Sequence, residues 1–132
     1  MSMPQLFDPT IARLSYGLDG LSQRQSIISD NVANVDTPGY LTHDVPFEST
    51  LLSAMQDQTF ARQAGMQGNA DVPSALPGAI TRSDLRTRND GNNVDINQQM
   101  TEMARTTVVY QAATQLITGK FALLSSALAP VS

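Results

Sequence analysis

Residues 29–40, SDNVANVDTPGY, end a long amphipathic run and turn the chain sharply away from it. Upstream, Phe7, Ile11, Leu14, Leu18, Leu21, Gln25, Ile28, Val32 and Val35 are spaced alternately by three and four, which is a heptad seam on one helix. The run meets Asn34 and Asp36, whose side chains compete for nearby backbone, and then Thr37, which Pro38 pushes toward extended geometry. A helix from Pro9 to Val35 is therefore expected, about 40 Å long, with Asp8 as its N-cap and Pro9 at the first helical position. Pro38 and Gly39 fit the two central places of a type II turn, with glycine supplying the positive φ, and Tyr40 leads the chain away.

A second seam occupies the other end. Ile96, Met100, Met103, Thr107, Tyr110, Thr114, Ile117, Phe121, Leu124 and Leu128 again alternate by four and three, predicting a helix from Ile96 to Leu128 of about 50 Å. Asp95 with Gln98 three residues on has the spacing of a capping box, and Pro130 closes the segment. Both helices have weak intrinsic propensity: Gly17 and Gly20 interrupt the first, Gly119 and the β-branched run Thr106 to Val109 the second. The expected fold is mainly α, with the long N- and C-terminal helices paired as a coiled coil, an irregular middle segment, and order completed in a helical polymer. Residues 1–40 carry the first helix and turn, 41–93 the irregular middle, and 94–132 the second helix, the outer two forming one domain. The pairing seam comprises Ile11, Leu14, Leu18, Leu21, Ile28 and Val32 against Met100, Met103, Tyr110, Ile117, Phe121, Leu124 and Leu128, with Gln25 fixing register.

The flanks of the seams are short of charge. The first helix has Arg13, Asp19, Arg24 and Asp30 and the second Glu102, Arg105 and Lys120; serine, threonine, glutamine and alanine fill the rest. A free two-stranded coil places Glu and Lys there to face water. These helices thus need neighbours on several sides, which two helices cannot give each other, so other subunits are expected to supply them. In the middle segment a short helix is expected within Phe47 to Met66, with Leu51, Leu52, Met55 and Phe60 as its apolar side. GNADVPSALPGAITRSD reads as turn-rich, and Arg82, Arg86 and Arg88 beside Asp84 and Asp90 read as local ion pairing or as a contact for an acidic neighbour.

Composition limits the function. The chain has 132 residues, a formal net charge of −4, a pI near 4.6 and 5% aromatic residues, so a basic field for nucleic acid or an anionic membrane is missing. There is no cysteine, hence no disulfide, thiolate metal site or cysteine nucleophile. The first fifteen residues lack a basic n-region and an unbroken apolar core, so no cleaved signal peptide is expected, and no run is long and apolar enough for membrane insertion. An enzyme is the main rival class. Glu48 and Asp57 could be a carboxylate pair for glycoside hydrolysis, and His43 with Asp44 half of a nucleophile-activating pair or one metal ligand. Neither has a recognisable cleft, and Gly17 to Gly20 lacks phosphate-loop spacing. The reading is no enzyme, no cofactor, no metal and no catalytic residue.

SDNVANVDTPGY after a heptad helix, together with GNNVDINQQMTEMARTTVVYQAATQLITGKFALLSSAL, resembles the flagellar basal-body rod proteins, and within them the proximal rod type. The resemblance covers roughly the first 40 and last 40 residues. It implies a structural subunit of the rod, exported by the flagellar apparatus without a cleaved signal peptide and assembled in the periplasm into the export channel and drive shaft. Implied partners are copies of itself, adjacent rod subunits, the adaptor between membrane ring and rod, and the export apparatus. Asn31, Asn34, Thr37, Pro38, Gly39 and Tyr40 would set the exit angle from the inner tube and complete contacts between subunits. The alternatives are another axial rod or hook-type subunit, or a cytoplasmic coiled-coil adaptor.

Overall fold

The computed structural model of the chain describes residues 9–63, 73 and 75–128; for Pro9 and residues 57–63 it describes the backbone alone. The expected cap at Asp8, the seam position Phe7 and the side chains of Asp57 and Phe60 lie outside the described residues. Three helices and one two-stranded bridge follow in the order α1 (Pro9–Ala33), β1 (His43–Asp44), α2 (Phe47–Gln63), β2 (Ile80–Thr81) and α3 (Ile96–Leu128). The fold is mainly α, and its long N- and C-terminal helices lie against each other. They run antiparallel, since Asn31 meets Gln99 while Gln25 meets Thr107.

Helix α3 has the bounds read from the seam, and Asp95 caps it by accepting from the backbone N–H of Asn97 at 3.0 Å and of Gln98 at 3.2 Å. Helix α1 ends two residues before the expected Val35. The Asn34 N–H reaches the carbonyls of both Asp30 and Asn31, and Val35 N–H bonds Val32 O, so the last turn tightens to three-residue closure. The bridge pairs His43 with Thr81 and Asp44 with Ile80, giving the middle segment a fixed point that periodicity did not indicate.

On α1 the expected seam turns inward: Leu21 and Ile28 are buried, and Ile11, Leu14, Leu18, Gln25 and Val32 half-buried. A second face of α1, which meets the expected seam only at Leu21, is covered from within the chain. Tyr16 and Leu21 form a core with Val45 and Phe47, completed by Ile27, Leu51, Leu76 and Tyr110. Phe47 lies so close to α1 that a Cβ on Gly20 would fall 2.4 Å from its ring. Part of the cover expected from other subunits is thus α2, and the boundary drawn at residue 40 cuts through one shared core.

On α3 the expected seam is half displaced. Met103, Tyr110, Ile117 and Leu124 are half-buried as one column. The adjoining column is Gln99 and Thr106, both buried, with Ala113 and Lys120 half-buried, one residue earlier in each heptad than expected. Met100, Phe121 and Leu128, read as pairing residues, are instead 56%, 54% and 62% exposed. Small and polar side chains let α1 approach closely, and the large apolar ones are left beside the contact. The apolar period marks every surface meant for burial without saying which neighbour covers it.

Candidate functional site

The polar centre of the molecule is the junction where the chain leaves α1 and re-enters α3. Asn31, on the last turns of α1, is 0% exposed. Its Nδ2 donates to His43 O and to Gln99 Oε1, both at 2.9 Å. Its Oδ1 accepts from His43 N at 3.0 Å and from the Tyr40 hydroxyl at 3.2 Å. Every hydrogen-bonding position of this amide is filled by its own chain, as burial demands.

Asn92, also 0% exposed, acts as an external cap for α1. Its Nδ2 donates to Asn34 O at 2.9 Å and Thr37 O at 2.8 Å, while its Oδ1 accepts from Val94 N at 2.7 Å. The Arg88 guanidinium takes Val35 O. The carbonyls just past the end of α1 thus gain donors from residues more than fifty positions away in sequence, in addition to the local bonds that Asn34 O takes from Thr37 N–H and Thr37 O from Tyr40 N–H. Asn93 fastens the next segment: its Oδ1 accepts from Thr42 N at 2.6 Å, its Nδ2 donates to Arg82 O, and its N–H donates to Tyr40 O at 3.2 Å.

The TPGY turn sits on this framework. Gly39 has φ of +76°, and Tyr40 N–H bonds Thr37 O at 3.2 Å, as a type II turn requires. Gly91, at φ +85°, stands against it, with room for a Cβ only 3.3 Å from Gly39 Cα. Gly39 N–H closes the pair on Asp90 O at 2.9 Å.

The six junction residues read from the sequence divide into two groups. Asn31 is wholly buried and spends its amide within the chain. Asn34 and Tyr40 are half-buried and also bonded within the chain, Asn34 through Asp30 O at 2.8 Å and Thr37 Oγ1 at 3.1 Å. Thr37, Pro38 and Gly39 are exposed. Sequence reasoning missed Asn92, Asn93, Thr42 and Gln99. The available signal was the asparagine pair in NDGNNVD, just ahead of α3.

Charged groups beside the junction are engaged with one another. Arg24 lies over the Phe47 ring, 4.6 Å from its centroid, donates to Val45 O at 2.7 Å and to Glu48 Oε2 at 2.6 Å, and stands 3.5 Å from Asp44. Arg82 grips Asp84 through two bonds of 2.7 Å, holding its carboxyl down at about 2. Of the three carboxylates considered for catalysis, Glu48 and Asp44 thus neutralise arginines, and the Asp57 side chain lies outside the described residues. A polar cavity of about 190 Å³ between Arg24, His43, Asp44, Arg82, Gln98 and Glu102 separates the bridge from the two long helices. Among the described residues no three His, Cys, Asp or Glu are placed to hold a metal, and no helix is long and apolar enough to cross a membrane. A junction of neutral amides moves no proton in any ordinary pH range; what it can do is hold two helices and an exposed turn at one angle.

The family model described as flagella basal body rod protein matches residues 15–40, the last three-quarters of α1 with the turn. Similarity to curated proteins extends over nearly the whole chain. The flagellar basal body rod protein FlgB of Bacillus subtilis (strain 168) is 32% identical over 129 residues, covering 93% of this chain and 95% of that protein. Its counterpart in Aeromonas hydrophila is 32% identical over 124 residues, covering 92% and 94%. That of Escherichia coli (strain K12) is 30% identical over 126 residues, covering 87% and 91%.

Proposed function

Since this chain belongs to the flagellar basal-body rod proteins, we propose that it is the proximal subunit of the rod, polymerising into the wall of the export channel and the shaft that transmits torque. The observation carrying this reading is the contrast between a locked junction and an unfinished helix pair. The asparagine framework fixes the angle between the α1/α3 body and the turn, as a load-bearing lattice requires. Yet α3 leaves Leu116, Phe121, Leu123 and Leu128 each more than half exposed, an apolar surface that a solitary helix pair would not keep.

In this reading residues 1–40 and 94–132 make the inner tube, and residues 41–93 lie against it through α2 and reach outward. Thr37, Pro38 and Gly39 meet a neighbour. The partners are further copies of the chain, the next rod subunit, the adaptor between membrane ring and rod, and the export apparatus. The chain acts as a structural subunit, without catalysis, in the periplasmic part of the basal body, which it reaches by flagellar export. The test is deletion and complementation. A strain lacking the chain should make no rod and not swim, and an epitope-tagged copy that restores swimming should be recovered in purified basal bodies. A tagged copy that stays in the cytoplasm of swimming cells as a stable dimer would establish the adaptor reading instead.

A further inference from the structure

Val109, Leu116 and Leu123 recur every seven residues along α3, 45%, 61% and 70% exposed, as one strip beside the contact with α1. On α1, Ser15, Asp19, Ser22, Ser26 and Ser29 alternate by four and three along a face that neither α2 nor α3 covers, and all are exposed. We infer that the Val109–Leu116–Leu123 strip of one copy docks on this face of α1 in a second copy, an inference that rests on the rod-subunit reading.

Three features select this occupant. Both surfaces repeat every seven residues, about 10 Å along a helix, so large side chains of one fall between small ones of the other. Their charges are opposite: the open face of α1 carries Asp19 with Asp30 beside it, whereas α3 beyond Met103 carries only Arg105 and Lys120. A single antiparallel register satisfies both, setting Val109 near Ser29, Leu116 near Ser22 and Leu123 near Ser15, with the exposed Arg105 falling near Asp30.

Within one chain Asn31 meets Gln99 and Gln25 meets Thr107. The register between copies is displaced from that pairing by roughly seven residues, or about 10 Å. The two surfaces are different and lie on opposite flanks of the helix pair. The contact is therefore head-to-tail, and the stagger carries each copy a step along the axis, so the array climbs instead of closing on two copies.

The absence of native cysteine makes the contact directly testable. Tagged Ser22→Cys and Leu116→Cys variants are produced together and singly in the deletion strain, and basal bodies are purified under mild oxidation. A disulfide-linked dimer is expected when both variants are present and from neither alone. Both variants recovered in basal bodies with no cross-link would overturn the inference while leaving the rod reading intact. A chain missing from basal bodies would remove both. Independently, Leu116→Asp should leave the helicity of the purified chain unchanged and abolish swimming, with Ser22→Arg in the same chain restoring it. Normal swimming of Leu116→Asp alone would also overturn the inference.

Discussion

Asn92 shows how much one neutral side chain can hold. It satisfies the carbonyls of Asn34 and Thr37 and the N–H of Val94 from a position with no solvent access. Its removal leaves the Val94 N–H buried without a partner, a cost of about 1–3 kcal/mol, and takes one bond each from the Asn34 and Thr37 carbonyls, which keep Thr37 N–H and Tyr40 N–H, for about 0.5–1.5 kcal/mol apiece. Asn92→Ala should therefore lower unfolding stability by about 3 kcal/mol, read by urea titration of circular dichroism in a stabilising osmolyte. A loss below about 1 kcal/mol would mean that water reaches the junction. Tyr16 makes the opposite case, since its buried hydroxyl has no partner among the described residues. Burial raises its pKa above the ordinary 10.0, and burial followed by Asp30 does the same to Tyr40. A folded pKa above the unfolded value gives stability that is complete below about pH 10 and lost as pH rises through the folded pKa. Tyr16→Phe should keep or raise stability at pH 7 and shrink the alkaline loss in a pH series of thermal melts, leaving the share due to Tyr40.

Helix α1 is stable where it is because of what lies on its faces. Two of its glycines, with the same intrinsic penalty of about 1 kcal/mol against alanine, have opposite surroundings. A Cβ on Gly20 would meet three atoms of the Phe47 ring between 2.4 and 2.8 Å away, whereas one on Gly17 would meet nothing within 4 Å. Gly20→Ala should cost about 1–3 kcal/mol through displacement of Phe47 and the Arg24 stacked on it. Gly17→Ala should gain up to about 1 kcal/mol in the isolated chain. Equal responses in denaturant titration would show that α2 does not bear on α1 as described. Helix α3 tolerates its threonines by a different device: Thr101, Thr107 and Thr114 each bond the carbonyl four residues back, at 2.9, 2.9 and 2.8 Å. Thr107 also accepts from Gln25 at 3.3 Å, so the one polar residue expected to set register in the α1 seam has its partner on the facing helix.

The molecule as a whole separates two kinds of seam position that periodicity treats alike. Leu21 is 6% exposed and belongs to the core, whereas Phe121 is 54% exposed and faces outward. Leu21→Asp buries an unpaired charge and should unfold the subunit. Phe121→Asp should leave the subunit folded and soluble, with helicity as in the parent, yet unable to join the rod. Both would fail to swim, so the discriminating measurement is circular dichroism of each purified variant. Identical spectra would return both residues to one seam.

The linear order of residues determined the existence of the two long helices, the capped start and the end of α3, and the turn at Pro38–Gly39. These follow from local steric rules and from a period of three and four, which a chain states in its own order. Short-range order also carried the family motif at the end of α1. What the tertiary structure alone decided is which apolar residues cover which neighbour, and what fastens the end of α1 to the approach to α3. Met100 and Phe121 are as apolar as Met103 and Tyr110, and only the close approach of α1 over Gln99 and Thr106 assigns one set inward and leaves the other outside. Asn31 and Asn92 look like turn-formers in a list of residues. They become the framework of the junction because folding brings together backbone groups more than fifty residues apart, and a buried amide must spend all its hydrogen bonds where it lies.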